Sequence, residues 1–464
     1  MSGDLLIRGV EVEDRPGVDV RVAGGRIVEI GSGLSGQEPD LDGRGGALLP
    51  GLIDHHIHLF GLAAQAASVE LDGQTSIEGI GRALRAKAGE LSPGAWLRGV
   101  GYHEAGGEPL DRASLDIMVA DRPVRIQHRT GGLWILNSAA LDEVADGATP
   151  PCVERDDQGE PTGRIWRGDD WLRGRLAQSP PSLAGVSAAL ARRGVTGVTE
   201  ASVTNDPAQA DVFARAIAAG EWRQRLMLMG GGFLEAPADG AFQVGPVKVL
   251  LDDDRLPDLD AVCATIARAR DWGRKVAIHC VAAGELAFAL AAFGLAGAEP
   301  GDRIEHGGII HPDAAREIAR LGLTVVTQPG FVAERGDRYL AEVDPTDLAA
   351  LYPCASLMRA GIKVAGSSDA PYAAADPWAA MSAAINRTTP SGRLLGSDER
   401  VAPRAALNMF LGDFADPGGD RRRVEVGAAA DLCLLRCPLD VALAAPDASW
   451  VAATLVGGEV IHRA

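Results

Sequence analysis

Apolar and polar positions change their rhythm twice along this chain of 464 residues. Residues 1–52 alternate in short segments, LLIRGVEVE, VDVRVAGGRIVEIG and GGALLPG, broken by Gly and Asp. Alternation places every second side chain on one face, so these segments read as β-strands joined by tight turns. Residues 416–464 return to that texture in VEVGAAADLCLLRC and WVAATLVGGEVIH. Neither end is long enough to bury both faces of a sheet alone. The two are therefore expected to combine into one small β-sandwich, residues 1–52 forming one half and 416–464 the other.

Between them, over residues 53–415, apolar runs alternate with Ala/Arg/Leu-rich stretches whose apolar positions recur at helical spacing. Strands are expected at LIDHHIHL, PVRIQH, GVTGVTEAS, VKVLL, VAIHCV, RIEHGG, LTVVTQP and IKVAGSSDAP. Helices are expected at SIEGIGRALRAKAGEL, LDAVCATIARARDWG and PDAAREIARLG. Repeated strand–helix units predict an α/β fold, a (β/α)8 barrel of the TIM type with insertions. RLMLMG, just before VKVLL, is a ninth strand-like run, and the pattern leaves open which of the two is the fourth barrel strand. In PVRIQH, VAIHC, RIEHG and IKVAGSSD a His or Asp follows the apolar run. That is the carboxyl end, where barrel enzymes build their active sites.

Charge narrows the class. Sixty-three acidic against 45 basic residues leave a net charge of −18. So acidic a surface repels phosphate backbones, which excludes nucleic acid as the expected partner and leaves a small molecule. No apolar run is long enough to span a membrane, and MSGDLLIRGVEVEDR lacks the basic and apolar regions of a signal peptide. The six cysteines are scattered without a CxxC pair, as in a reducing compartment, and a cytoplasmic location is expected.

The strongest local signal is PGLIDHHIHL, residues 50–59. On a strand, Asp54, His56 and His58 share one face, so two imidazoles two residues apart can share a metal. His279 and His306 each close a short apolar strand, in VAIH and RIEH, and small residues follow. Four of the chain's nine histidines thus fall at strand ends that converge only in a barrel. Asp369, in KVAGSSDAP, ends the last strand, where a carboxylate can touch a metal and accept a proton from water. Its competing use is a helix N-cap ahead of Ala370-Pro371. Lys248 stands alone in the apolar strand GPVKVLL. Neutralised by burial, its amine can add carbon dioxide to give an anionic carbamate able to bridge two metals. Its competing use is a lysine reaching water from a strand end. His128, Arg129 and Trp134, with Tyr102 and His103, are candidates for contacting substrate.

These motifs resemble the amidohydrolase superfamily, within it the branch of N-substituted formamide deformylases and related metal-dependent amidohydrolases. The resemblance runs through most of the chain. It is carried by PGLIDHHIHL, AWLRGVGYHE, LDRASLDIMVADRPVRI, LNSAAL, GEPTGRIW, GVTGVTEAS, RIEHGGIIHPD, TQP, GSSDAPYAAADPW and VEVGAAADLCLL. It implies a barrel with a composite β-sandwich and zinc or another divalent metal, one or two per chain. His56 and His58 then bind one metal, His279 and His306 the second. Asp369 matches the catalytic aspartate and Lys248 the strand lysine that is carboxylated in binuclear members. The implied reaction is hydrolysis of a carbon–nitrogen bond in an amide, formamide or cyclic amide, by a metal-activated hydroxide with an aspartate proton shuttle. Family members often form dimers, so a homodimer is expected.

Two positions depart from the branch. Thr130-Gly131-Gly132-Leu133-Trp134 replaces its Asp-Gly-His, and Ala282-Ala283 replaces the Gly-Asp that usually follows its fifth-strand histidine. Neither removes a metal ligand, and both reshape the pocket. The rival readings are a mononuclear deaminase of the same superfamily, whose nearest acid would be Glu285, and a barrel without catalysis acting as a binding scaffold.

Overall fold

The computed structural model describes residues 4–464 except 75, 105–108, 146–148, 169–170, 173 and 176–179. The chain divides into two compact units, Met1–Leu59 with Leu183–Ala464, and Phe60–Ser182.

The first unit is built on eight parallel strands in sequential order. They are β1 (Leu52–Ile57), β2 (Val195–Glu200), β3 (Arg225–Gly230), β4 (Gln243–Val249), β5 (Val276–Cys280), β6 (Arg303–His306), β7 (Thr324–Thr327) and β8 (Val364–Gly366). Both RLMLMG and the strand carrying Lys248 take part, as β3 and β4. The two edge strands are drawn together just beyond β8. There the Asp369 N–H donates to the His56 carbonyl at 2.8 Å, and the His58 N–H to the Ala370 carbonyl at 2.8 Å. The result is a nearly closed barrel, sealed by the segment that carries Asp369.

Two of the expected helices stand in this unit, each with a start signal. Leu259–Asp271 is capped by Asp258, whose side chain accepts the Ala261 N–H at 3.1 Å. Pro312–Leu321 opens on proline and stops at Gly322 in the left-handed region.

PVRIQH is not a barrel strand. Val124–His128 lies in a six-stranded sheet of the Phe60–Ser182 unit, antiparallel to Leu133–Leu136. Only Arg129–Gly132 separate the two, too few for the crossover that a parallel barrel pair needs. The connection is a tight hairpin with Gly131 at φ 75°, a backbone conformation that suits glycine. The helix predicted at SIEGIGRALRAKAGEL also belongs to this unit. It spans Ile77–Glu90 with Ser76 as its cap, and its Ile80 and Leu84 join a core with Leu97, Leu115, Ile126 and Ile135.

The terminal segments form two four-stranded sheets in the first unit. One holds Leu5–Val12, Arg15–Ala23, Arg26–Gly31 and Asp40–Asp42. The other pairs Leu48–Pro50 with Leu432–Leu435, followed by Val451–Val456 and Glu459–Arg463. Their inward side chains share one apolar cluster, with Ile7, Val20 and Ile27 from the first sheet against Leu432, Leu434 and Leu455 from the second. Leu434→Ala should therefore lower stability by about 2–5 kcal/mol, read as a shift in the urea midpoint. A loss below about 1 kcal/mol would show that the two sheets do not depend on this core.

Candidate active site

β1 is buried along its whole length, and Asp54 and His56 find partners within the barrel, whereas neither ring nitrogen of His55 has a hydrogen-bond partner among the described residues. Asp54 accepts from the Ser368 N–H at 3.0 Å and the His56 N–H at 3.2 Å, and also from the Ser368 hydroxyl. Burial raises its carboxyl to about 6 against the pull of those donors. His56 is turned by Glu305, whose carboxylate meets Nδ1. That contact fixes Nδ1 as the protonated nitrogen and leaves the Nε2 lone pair unused. Burial, with Lys248 nearby, lowers His56 to about 4. His58, just past the strand, has Nδ1 2.9 Å from the Ser202 hydroxyl and Nε2 3.1 Å from Asp369 Oδ1.

The opposite side of the barrel supplies the other two imidazoles. His279 is the last residue but one of β5 and His306 ends β6, their ring centres 4.4 Å apart, while His56 and His306 lie 4.7 Å apart. His306 Nδ1 is 3.0 Å from the Gln328 side-chain oxygen, and Gln328 in turn donates to Ser367 at 2.9 Å. Burial pushes His279 to about 4 and His306 well below the ordinary imidazole range. His306 and Asp369 both hold left-handed backbone, φ 68° and 55°. Non-glycine residues there carry a cost of order 1–3 kcal/mol each, a strain that often marks functional sites.

Asp369 lies among the histidines, Oδ1 3.5 Å from His56 Nε2 and Oδ2 3.8 Å from His306 Nδ1. Burial would raise its carboxyl, but His58, His306 and His56 outweigh that and hold it well below the usual carboxylate range. One ligand atom from each of His56, His306 and Asp369 falls within 4.8 Å of the others. Lys248 is 4% exposed, and its Nζ has no hydrogen-bond partner among the described residues. Burial lowers its pKa, with Glu305 and Asp369 opposing. A bare buried amine and the unpartnered Nε2 of His56 beside a carboxylate suit an electrophilic cation, so the residues present fit a divalent metal.

His56, His58, Lys248, His279, His306 and Asp369 line one cavity of about 730 Å³. The structure thus brings together all the residues singled out for metal chemistry. The three predicted substrate contacts belong to the Phe60–Ser182 unit. His128 is 2.8 Å from Thr130 and 3.2 Å from Glu104, and the Arg129 N–H donates to the Tyr102 carbonyl at 2.8 Å. Trp134 is buried in an apolar cluster of that unit, with Arg98 and Arg125 over its ring. Glu285, the nearest acid for the deaminase reading, is a helix cap. Its carboxylate accepts the Val281 and Ala282 N–H groups at 2.6 and 2.9 Å.

Sequence reasoning missed the residues that hold the histidines. Glu305 is wholly buried between His56 and the Arg303 guanidinium. Burial would raise its carboxyl, and Arg303, Lys248 and His56 instead hold it well below the usual range. Opposite charges two apart in RIEH, on one face of a buried strand, were the available signal. Gln328 lay in the quoted TQP motif without being assigned a role.

Among the described residues no helix is long and apolar enough to cross a membrane. The chain is similar to known proteins over most of its length. An N-substituted formamide deformylase from Arthrobacter pascens is 26% identical, the alignment covering 94% of this chain and 93% of that protein. A metal-dependent hydrolase from Pyrococcus horikoshii OT3 superposes with a TM-score of 0.77 at 20% identity, over 99% of this chain and 100% of that one. Atrazine chlorohydrolase TrzN from Arthrobacter aurescens TC1, in complex with zinc, gives 0.55 at 17% identity over 98% and 94%. The sequence model of the amidohydrolase family matches residues 40–462, from the terminal sheets through every barrel strand, and the chain belongs to that family of hydrolases.

Proposed function

We propose that the protein hydrolyses a carbon–nitrogen bond in an amide or formamide. His56, His58, His279 and His306 would hold divalent metal, zinc first, with Lys248 and Asp369 beside them. The observation that carries this reading is the gathering of these six side chains in one cavity at the carboxyl ends of five different strands. The formamide deformylase named above and the zinc in TrzN support the substrate class and the metal.

Held by these histidines, a divalent cation would polarise a carbonyl oxygen and bring the pKa of water down to about 7. The chain's own residues do the rest. Asp369 accepts the proton of the attacking water and returns it to the leaving nitrogen, since an amine leaves poorly unless protonated. Glu305 and Gln328 fix the rings of His56 and His306. The neutral Lys248 amine is the form that adds carbon dioxide, releasing a proton and leaving a carbamate anion. The terminal sheets, sharing one core, we read as a composite sandwich.

Metal analysis tests the reading. Protein prepared without chelator should carry about two equivalents per chain, falling in both His56→Ala and Lys248→Ala. Isotope-labelled bicarbonate should label the wild type and leave Lys248→Ala unlabelled. One equivalent that ignores Lys248 would replace the binuclear site with a mononuclear one. No metal after zinc reconstitution would remove the hydrolytic reading.

A further inference from the structure

The cavity holds a cation that the hydrolytic chemistry does not use. The helix Gly330–Glu342 turns Phe331, Arg335, Arg338 and Tyr339 towards it. Residues three and four apart share a helical face, so Phe331, Arg335 and Tyr339 form one stripe. Arg338 is neutralised by Glu342 at 2.7 Å. Arg335 forms no salt bridge with any described residue. It gives one hydrogen bond, to the Tyr372 carbonyl, and its guanidinium lies 4.4 Å from the centre of the Phe331 ring. A guanidinium carries five N–H donors, so most of this one remains available to a ligand.

Its place relative to the histidines is set by Tyr372. That ring meets His58 edge-on at 5.8 Å, and the same residue's carbonyl receives Arg335. The cation is therefore one residue away from the metal-binding cluster. Apart from Arg335 and the Arg338–Glu342 pair, the wall on this side is mainly apolar, with Leu250, Val281, Phe331, Val343 and Tyr352. An apolar pocket with one unpaired cation at a fixed position selects an amphipathic anion. A carboxylate fits the guanidinium fork through two parallel hydrogen bonds.

We propose that the substrate is an amide whose amine portion carries a carboxylate on an apolar frame, an N-acylated apolar amino acid, with Arg335 binding the carboxylate. This rests on the hydrolytic reading above and adds the substrate class. Arg335 anchors the far end of the substrate, so that the amide lies towards His58 and Asp369 while the side chain packs on the apolar wall. A neutral amide of the same shape leaves the guanidinium unpaired in the complex.

N-formylphenylalanine and N-formyl-2-phenylethylamine differ only in that carboxylate. Zinc-loaded wild type should show kcat/KM about 10–100-fold higher on the acid, the size of one charge-assisted recognition. In Arg335→Gln the ratio should collapse towards one, and Arg335→Lys should keep part of it. Calorimetric binding of N-formylphenylalanine should weaken by a similar factor in Arg335→Gln. Hydrolysis of both compounds without preference, or a preference that survives Arg335→Gln, overturns the substrate class and leaves the hydrolase reading standing. Arginine-dependent binding without turnover of either compound upholds the anion subsite and removes the hydrolase reading. Binding that ignores Arg335, or no binding, overturns the subsite.

Discussion

Asp369→Asn should lower kcat by about 10²–10⁴-fold, the usual contribution of a positioned proton acceptor. Asparagine keeps the size of the side chain and tolerates the left-handed backbone that Asp369 adopts at φ 55°. The substitution therefore removes the proton-accepting oxygen with little change in shape. Three histidines stay in place around it, with His58 Nε2 at 3.1 Å and His56 Nε2 at 3.5 Å from Oδ1 in the native chain. Metal content, read by mass spectrometry on the same preparation, should stay near the wild-type level. Turnover that survives with metal bound would take the proton-transfer role away from Asp369. Turnover lost together with metal would make the aspartate chiefly a ligand.

Glu305→Ala should destabilise the protein by about 3–5 kcal/mol, the penalty for leaving one partner of a buried ion pair uncompensated. Arg303 is almost wholly buried, and its remaining acceptor would be the His55 carbonyl at 2.7 Å. The same change releases His56 Nδ1, so metal affinity should fall by about 10–100-fold, as when a residue orienting a ligand is lost. The double variant Arg303→Met/Glu305→Leu separates the two effects. It should recover much of the stability, because no charge is left stranded, and none of the metal affinity. Urea unfolding and a competitive zinc titration read the two quantities. A single-variant loss under about 1 kcal/mol would mean that Arg303 finds other partners.

What the sequence made legible was local. His56 and His58 were readable because strand alternation alone puts them on one face, and His279 and His306 because each closes an apolar run. The eight barrel strands were nearly all visible for the same reason. The error at PVRIQH came from periodicity, which is the same for a barrel strand and for a strand of an inserted sheet. The short gap to LWIL carried the topological information, because a parallel partner cannot be reached across it. Glu305 was not assigned because its meaning lies in a contact with His56, 249 positions away. Arg335 was equally silent. An arginine on an amphipathic helix is ordinarily solvated, and only the packed structure shows that Glu334, beside it in sequence, accepts the Ala374 N–H while Glu342 pairs with Arg338.

The pairing of Leu48–Pro50 with Leu432–Leu435 has a consequence for how the chain is made. The first sheet emerges from the ribosome early, with Ile7, Val20 and Ile27 facing a partner not yet synthesised. At roughly 5–20 residues per second, residues 48 and 434 are separated by roughly 20–80 s of synthesis. For that interval the nascent chain carries an uncovered apolar sheet face, the kind of surface that chaperones bind and that aggregates form around. Synthesis of the strands from Leu432–Leu435 to Glu459–Arg463 therefore acts as the step that closes this core. A stalled or truncated translation product should be degraded or deposited even when all eight barrel strands are complete.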